Sequence, residues 1–262
     1  MDILSNPIGL LLVASGAFMA GAMNALAGGG TFFSFPALLA AGIPPVTANA
    51  SNTVALWPAS LSSAWVYRKE LQKHRSWVIA LTIIAAIGGI AGGLLLLAVS
   101  NAAFMQMVPW LLLLATALFA FSKQISGLMV RFKSRMGIAH TDDKPHSPGG
   151  LAFQFLVTVY GGFFGAGQGI LTLAALSIQG VENIQELNAL KNWISGVTYT
   201  VSALTFIVAG AINWPYTILM VVTATLGGFA GAHIAKYLPA IWLKRLVIAV
   251  GSLLTVIYFF KT

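Results

Sequence analysis

Charged side chains are scarce in this chain. Only 8% of its 262 residues are Asp, Glu, Lys or Arg, whereas soluble domains carry about 25%. Hydrophobic residues make up 58% of the chain, which leaves too few polar side chains to cover a surface in water. The composition excludes a cytoplasmic enzyme, a nucleic-acid-binding module and a disordered chain, and it predicts an integral membrane protein whose surface contacts the lipid bilayer.

Cysteine is absent, and there are only six acidic residues. Cysteine-based catalysis and cysteine-bound metals are therefore excluded, and the four histidines (His74, His140, His146 and His233) lack the spacing of metal ligands. No acidic residue lies in the middle of an apolar segment. The sequence thus predicts no enzyme, no metal and no cofactor, and the lack of intramembrane carboxylates disfavours a cation as the substrate.

Long uncharged runs take the place of charge. The stretches 3–67, 76–122 and 192–235 contain no Asp, Glu, Lys or Arg, and each is long enough for one to three passes, because a membrane helix needs about 20 apolar residues. An N-terminal signal peptide is not expected. The all-α chain is predicted to have 8–10 membrane segments, within Pro7–Ala27, Thr31–Gly42, Ala48–Tyr67, Ser76–Ala98, Met107–Leu128, Gly150–Phe164, Gln168–Gln179, Glu186–Ala211, Trp214–Ala235 and Ile241–Phe260.

Glycine motifs recur along the chain at a nearly constant spacing. Gly88-Gly89 matches Gly227-Gly228 at an offset of 139 residues, and two further pairs match at 137, namely Gly28 with Gly165 and Gly30 with Gly167. Several matches in the same order predict an internal duplication of about five helical elements per copy. The alternative is that glycine pairs are simply common where membrane helices pack closely.

The basic residues indicate how the two copies are related. They cluster after the third segment, in the middle of the chain and before the last segment, at Arg68, Lys69, Lys73, Arg75, Arg131, Lys133, Arg135, Lys236, Lys244 and Arg245. Cytoplasmic loops are rich in Lys and Arg, and the three clusters share one side if each copy crosses the membrane an odd number of times. Four passes per copy would separate them. The sequence therefore predicts inverted repeats over 1–130 and 150–262, a cytoplasmic linker over 131–149 and periplasmic termini.

Two predicted segments, Thr31–Gly42 and Gln168–Gln179, are too short to span a bilayer alone, and each follows a glycine cluster. Helices broken or re-entrant inside a membrane normally line a cavity, because their freed backbone groups need partners. Breaks at matching positions in two halves indicate a transport site, and the positive N-terminal ends of half-helices favour an anion. The alternative is that the glycines only permit close packing.

Polar residues collect near both breaks in the sequence. We expect amide, hydroxyl and backbone N–H groups to bind an oxyanion, with Lys191 supplying the charge; its alternative is an interfacial position paired with Glu186. His233 is a candidate for proton coupling, the alternative being a place at the cytoplasmic end beside Lys236. The predicted substrate-binding residues are Asn24, Gly28, Gly29, Gly30, Thr31, Asn49, Ser51, Asn52, Gly165, Gly167, Gln168, Gly169, Asn188, Lys191 and Asn192.

Two groups of motifs resemble the sulfite exporter TauE/SafE family over nearly the whole chain. The first comprises the runs 21–31, 36–44 and 48–52, and the second comprises 161–167 and 188–192. The resemblance implies a permease for sulfite or organosulfonates in a bacterial or archaeal inner membrane.

Residues and resemblance together predict a secondary transporter that exports a small sulfur-containing anion, sulfite or an organosulfonate, by alternating access. Its expected partners are that anion, the bilayer and a coupling proton, without nucleic acid. A passive anion channel, or a permease for another anion such as a carboxylate or sulfate, is the alternative.

Overall fold

A computed structural model of the chain describes residues 6–26, 29–66, 71–72, 75–122, 124, 148–179, 184–234 and 240–261. Its elements are ten α-helices. In chain order these are α1 (Pro7–Leu26), α2 (Thr31–Ala40), α3 (Pro45–Val66), α4 (Arg75–Ala98), α5 (Asn101–Ala120), α6 (Pro148–Phe163), α7 (Gln168–Ile178), α8 (Ile184–Val208), α9 (Trp214–Ile234) and α10 (Ala240–Lys261). The predicted all-α membrane fold is confirmed.

Helix lengths separate the elements into spanning and half-length helices. Among the described residues, four helices are long and apolar enough to cross a membrane, over Pro7–Asn24, Trp77–Ala98, Asn101–Ala120 and Trp214–Gly231. In contrast, α2 has 10 residues and α7 has 11, so each extends about 15 Å, roughly half the thickness of the hydrocarbon core. The two predicted half-helices are therefore present.

The predicted start of α5 is wrong: the helix begins at Asn101 rather than at Met107. The Ser100 hydroxyl accepts a hydrogen bond from the Ala103 N–H, at 3.2 Å, and so caps the helix. Pro109 lies inside this helix. A proline disfavours a helix interior in water, but membrane helices tolerate it.

Contacts between neighbouring helices establish the path of the chain. Asn6 donates to the Ala41 carbonyl, at 3.5 Å, so α1 begins where α2 ends. The Val46 N–H donates to the Asn101 side chain, at 3.0 Å, so α3 and α5 begin at that same end. Since α4 connects the far end of α3 with the start of α5, it runs opposite to both. The first half of the chain therefore starts at one end of the bundle and finishes at the other.

The second half runs in the opposite sense. Gly88 lies against Phe155 and Gly92 lies against Val159, so α4 and α6 are parallel. The helix ends joined by segments 67–70, 125–147 and 235–239, which carry half of the Lys and Arg residues, therefore share one end of the bundle. We call it the basic end and the other the opposite end. This path places the basic clusters as the inverted duplication requires.

The helix–helix interfaces of the two halves also correspond to each other. Each helix of the first half has its counterpart five helices later in the chain, and the counterparts of two packed helices are packed as well. The α1–α9 interface corresponds to α6–α4, α3–α9 to α8–α4, and α1–α2 to α6–α7. The α3–α8 and α5–α10 interfaces each correspond to themselves. The two halves therefore exchange helices instead of folding as separate units, and the breaks after α1 and α6 become neighbours near the middle of the bundle.

Glycine makes the α1–α9 interface possible. A Cβ atom on Gly21 would overlap the Ala224 carbonyl, and one on Gly227 would overlap the Phe18 carbonyl. Such close backbone contact is how membrane helices gain van der Waals attraction without a hydrophobic effect. Gly88 and Gly92 do the same for α4 and α6. The recurring glycine motif thus has a packing role at symmetry-related interfaces.

Adjacent glycines of α9 give a matched test of this packing. We expect Gly227→Ala to lower the Tm in detergent, because a methyl group cannot fit against the Phe18 backbone, at a cost of about 1–3 kcal/mol. Gly228→Ala should leave the Tm unchanged or raise it, since the nearest atom is 3.8 Å away and alanine favours the helix by about 1 kcal/mol. Equal Tm values for the two variants would contradict this account.

Candidate functional site

The break between α6 and α7 is a turn that only glycine forms easily. Gly165 and Gly167 have φ angles of +80° and +78°, in the left-handed region where a side chain is strained. The Gln168 and Ile170 N–H groups donate to the carbonyls of Gly165 and Gly167. In the described part of the chain, the N–H groups of Gly167 and Gly169 have no acceptor. These two donors are therefore unsatisfied within that part of the chain.

The break between α1 and α2 is surrounded by side-chain amides and hydroxyls. Asn24 Oδ1 accepts a hydrogen bond from the Gly30 N–H at 3.0 Å, and the Asn52 amide donates to Thr31 Oγ1 at 3.4 Å. The Ser34 hydroxyl lies between the Gly30 carbonyl and Asn52 Oδ1. The structure therefore brings four predicted site residues together, along with Ser34, which the sequence analysis did not select.

Gln168 and Lys191 are the polar side chains at the second break. The Gln168 amide lies directly on Gly161, where a Cβ atom would overlap it. Gln168 is only 2% exposed, yet within the described ranges neither its side-chain nitrogen nor its oxygen has a hydrogen-bond partner. Lys191 is half-buried, with Cδ 3.5 Å from a Cβ position on Gly169. Both side chains thus lie at the start of α7.

Lys191 carries the positive charge at this break. Lys191 has no ion-pair or hydrogen-bond partner among the described residues, and in that part of the chain the single carboxylate is Glu186, in the first turn of α8. No group of His, Cys, Asp and Glu that could hold a metal occurs there either. An ammonium group and unpaired amide donors together form an environment that favours an anion.

Symmetry-related positions around the two breaks carry different side chains. Thr31 corresponds to Gln168, and Asn24 corresponds to Gly161. The side-chain amide therefore comes from Asn24 of α1 in the first half and from Gln168 of α7 in the second. Gly161 of α6 leaves room for the Gln168 amide. Asn52 likewise corresponds to Lys191. The first break is polar and internally hydrogen-bonded, whereas the second is cationic and unsatisfied.

Tyr199 on α8 joins the two breaks. Its side chain interacts with that of Thr31, and its hydroxyl lies 2.9 Å from a Cβ position on Gly165. The Tyr160 hydroxyl donates to the Ala166 carbonyl, at 2.6 Å, and so supports the second break from α6. Sequence reasoning missed both tyrosines; the available signal was a phenol within an otherwise apolar run, which must find a partner.

Three predicted site residues have other contacts. Gly29 packs against Val247 of α10, where it permits close approach. The Ser51 hydroxyl accepts the Asn213 N–H at 2.9 Å, which ties α3 to the start of α9. Asn49 donates to the Phe163 carbonyl at 2.8 Å, just before the second break, while its buried Oδ1 has no partner.

The remaining predicted residues stay predictions. Asn188 and Asn192 are half-buried on α8, on either side of Lys191 in the sequence. Gly28 lies outside the described residues. His233 is in the last turn of α9, at the basic end; its side chain is not among those described, and its proposed role in proton coupling is untested.

Comparison with known proteins agrees with this architecture. The family model described as Sulfite exporter TauE/SafE matches residues 13–258. The chain is 27% identical to a "Probable membrane transporter protein" of Haemophilus influenzae, over 91% of this chain and 89% of that protein. It is 25% identical to the "Probable membrane transporter protein YfcA" of Escherichia coli K12, over 91% and 85% respectively.

A third relative, the "Probable membrane transporter protein ORF9" of a Sinorhizobium species, is 27% identical over 97% of this chain and 93% of its own length. None of the solved structures matches the chain. The family match extends from within α1 to within α10 and includes both breaks. The chain is therefore a membrane transporter that belongs to the sulfite exporter TauE/SafE family.

Proposed function

We propose that this transporter moves a small sulfur-containing anion, sulfite or an organosulfonate, across the cytoplasmic membrane and out of the cell, by alternating access around the paired breaks. The observation that carries this proposal is the half-buried Lys191 at the start of α7, which has no internal partner in the described structure. An unpaired cation inside a membrane protein is costly, and a bound anion would remove that cost.

The donors at the second break fit an oxyanion. The N–H groups of Gly167 and Gly169 and the Gln168 amide lie within one turn of chain. A sulfite or sulfonate group presents several oxygens to such donors, and backbone N–H groups at a helix start suit negative charge. Sulfate or a carboxylate could use the same donors. The description of the family as a sulfite exporter favours sulfite over both.

Alternating access is favoured over a channel by a cluster of aromatic rings. Phe35 packs edge-to-face against Phe104 and Phe164, with ring centroids 6.3 and 5.6 Å apart, and Phe163 packs against Phe104 at 5.6 Å. These rings cover the breaks on the side of the opposite end. A passive channel would need an open route through them, whereas a carrier closes one end while the other is open.

A reconstituted transport assay tests the proposed function. We expect purified protein in proteoliposomes to take up labelled sulfite or a small sulfonate with saturation, and to show counterflow when unlabelled substrate is inside. Sulfate, thiosulfate and acetate serve as competitors. Linear uptake without counterflow would identify a channel, and uptake of acetate without any sulfur anion would identify a permease for carboxylates; either result would overturn the proposal.

The orientation of the bundle can be tested with single cysteines, because the chain has none of its own. We propose that the basic end faces the cytoplasm of an inner membrane, following the positive-inside rule. A Ser134→Cys variant, in the linker outside the described residues, should react with an impermeant maleimide only in inside-out vesicles. An Ala102→Cys variant, exposed at the opposite end, should react only in right-side-out vesicles. The reverse pattern would contradict the orientation.

A further inference from the structure

We propose that the seam between α6 and α7 opens to water and then connects the second break with the basic end, and that the seam between α1 and α2 does not open in this way. This inference rests on the proposed function only for the identity of the anion that uses the passage. The existence of the passage does not depend on it. Its basis is a set of buried polar side chains that the protein leaves unsatisfied.

The unsatisfied side chains lie on facing surfaces of the two helices. Gln154 is two turns before Gly161 on α6, and Thr172 is one turn after Gln168 on α7. Residues at these spacings share a helix face. Because the Gln168 amide lies on Gly161, the faces that carry Gln154 and Thr172 belong to the same seam.

Both ends of the seam can be located from contacts. At the break, Gln168 meets Gly161. At the basic end, the Gln179 amide donates to the Gly150 carbonyl at 3.4 Å. Gln154 and Thr172 fall between these two contacts along their helices. The four polar side chains therefore follow the seam from the substrate site to the end of the bundle.

Buried polar side chains without partners are the reason to expect that this seam opens. Gln154 and Thr172 are both 0% exposed, and neither the Gln154 amide atoms nor the Thr172 hydroxyl has a hydrogen-bond partner among the described residues. A buried polar group without a partner costs several kcal/mol in an apolar environment, and native proteins leave few such groups unless water or a ligand binds them. Several such groups in one closed seam indicate that water enters between the two helices when they separate.

The symmetry-related seam provides the contrast. Gln154 corresponds to Ala17, and Thr172 corresponds to Phe35, at the offset of 137 that relates α1–α2 to α6–α7. Ala17 and Phe35 are also 0% exposed, and Gly16 of α1 packs tightly against Ala37 of α2. The two seams are thus equally closed in this structure, but the corresponding positions in the first half are apolar and have no need of water. The duplicated fold has a polar seam toward the basic end and an apolar seam toward the opposite end.

Cysteine accessibility tests the passage without any substrate. The full-length variants Thr172→Cys and Gln154→Cys, in membrane vesicles, are treated with a sulfonate-bearing methanethiosulfonate reagent, which is impermeant and anionic. We expect both cysteines to react at least about 100-fold faster than the matched Ala17→Cys, and only when the reagent is added at the basic end. Rates equal to that of Ala17→Cys, or reaction from the opposite end, would overturn the proposal. Thr172→Cys replaces the hydroxyl by a thiol and removes one methyl group, and the Tm of the variant in detergent shows whether it is folded.

The transport rate and the Tm of a Gln154→Leu variant test the passage independently of cysteine labelling. In a wet passage, Gln154→Leu should slow transport about tenfold with no increase in Tm, because leucine interrupts the chain of water. In a dry seam, the same change would raise the Tm and leave transport unaltered, and that result would overturn the proposal. The two proposals also fail separately: labelling without transport of any sulfur anion would reject the substrate assignment alone, and transport without labelling would reject the passage alone.

Discussion

Replacing Lys191 with methionine is expected to lower the rate of sulfite transport at subsaturating concentration by at least about 30-fold. Methionine keeps the length of the side chain and removes its charge. Loss of a buried charged partner typically costs 2–5 kcal/mol of binding free energy, and about 1.4 kcal/mol corresponds to a factor of ten. The ammonium group at the start of α7 has no internal partner among the described residues, so its interaction with the anion should be lost in full.

The control for this experiment is Lys261→Met, at the exposed last residue of α10, which removes an equal charge far along the chain from the breaks. It should transport sulfite at the wild-type rate. The Tm of both variants in detergent shows whether either has lost its fold. Unchanged affinity and rate in a folded Lys191→Met protein would show that Lys191 does not bind the substrate.

Gly165→Ala is expected to reduce transport about tenfold or more and to lower the Tm. Alanine at a φ of +80° costs roughly 1–2 kcal/mol. Its methyl group would also lie 2.9 Å from the Tyr199 hydroxyl, closer than a carbon and an oxygen normally approach. The Tyr199 side chain must then shift, and this disturbs the interaction with Thr31 that joins the two breaks.

A double variant separates the two causes. In Gly165→Ala/Tyr199→Phe the overlap is relieved but the backbone strain remains, so the Tm should recover only in part relative to Gly165→Ala. Gly149→Ala, a glycine on α6 with no atoms near its Cβ position, is the matched control and should behave as wild type. If Gly165→Ala has the wild-type Tm and transport rate, the second break does not depend on a glycine turn.

Some features of the fold could be predicted because they depend on local composition. Half-helices were expected from the glycine clusters before Thr31 and Gln168, and α2 and α7 begin at these residues. The early start of α5 was missed although Ser100, a residue with a strong N-cap preference, was available as a signal. Apolarity is a weak guide to helix ends in a chain that is apolar on both sides of a boundary.

The sequence alone determined the class of protein, the inverted repeats and the positions of the breaks, because charge scarcity, basic clusters and glycine clusters are properties of the chain that act wherever it folds. Only the tertiary structure decided how the site is assembled. Tyr199 meets Thr31 and Gly165, and Asn49 reaches Phe163 across 114 residues, because the two halves exchange helices. Which of two equivalent seams is polar likewise depends on side chains that meet only after α6 packs on α7.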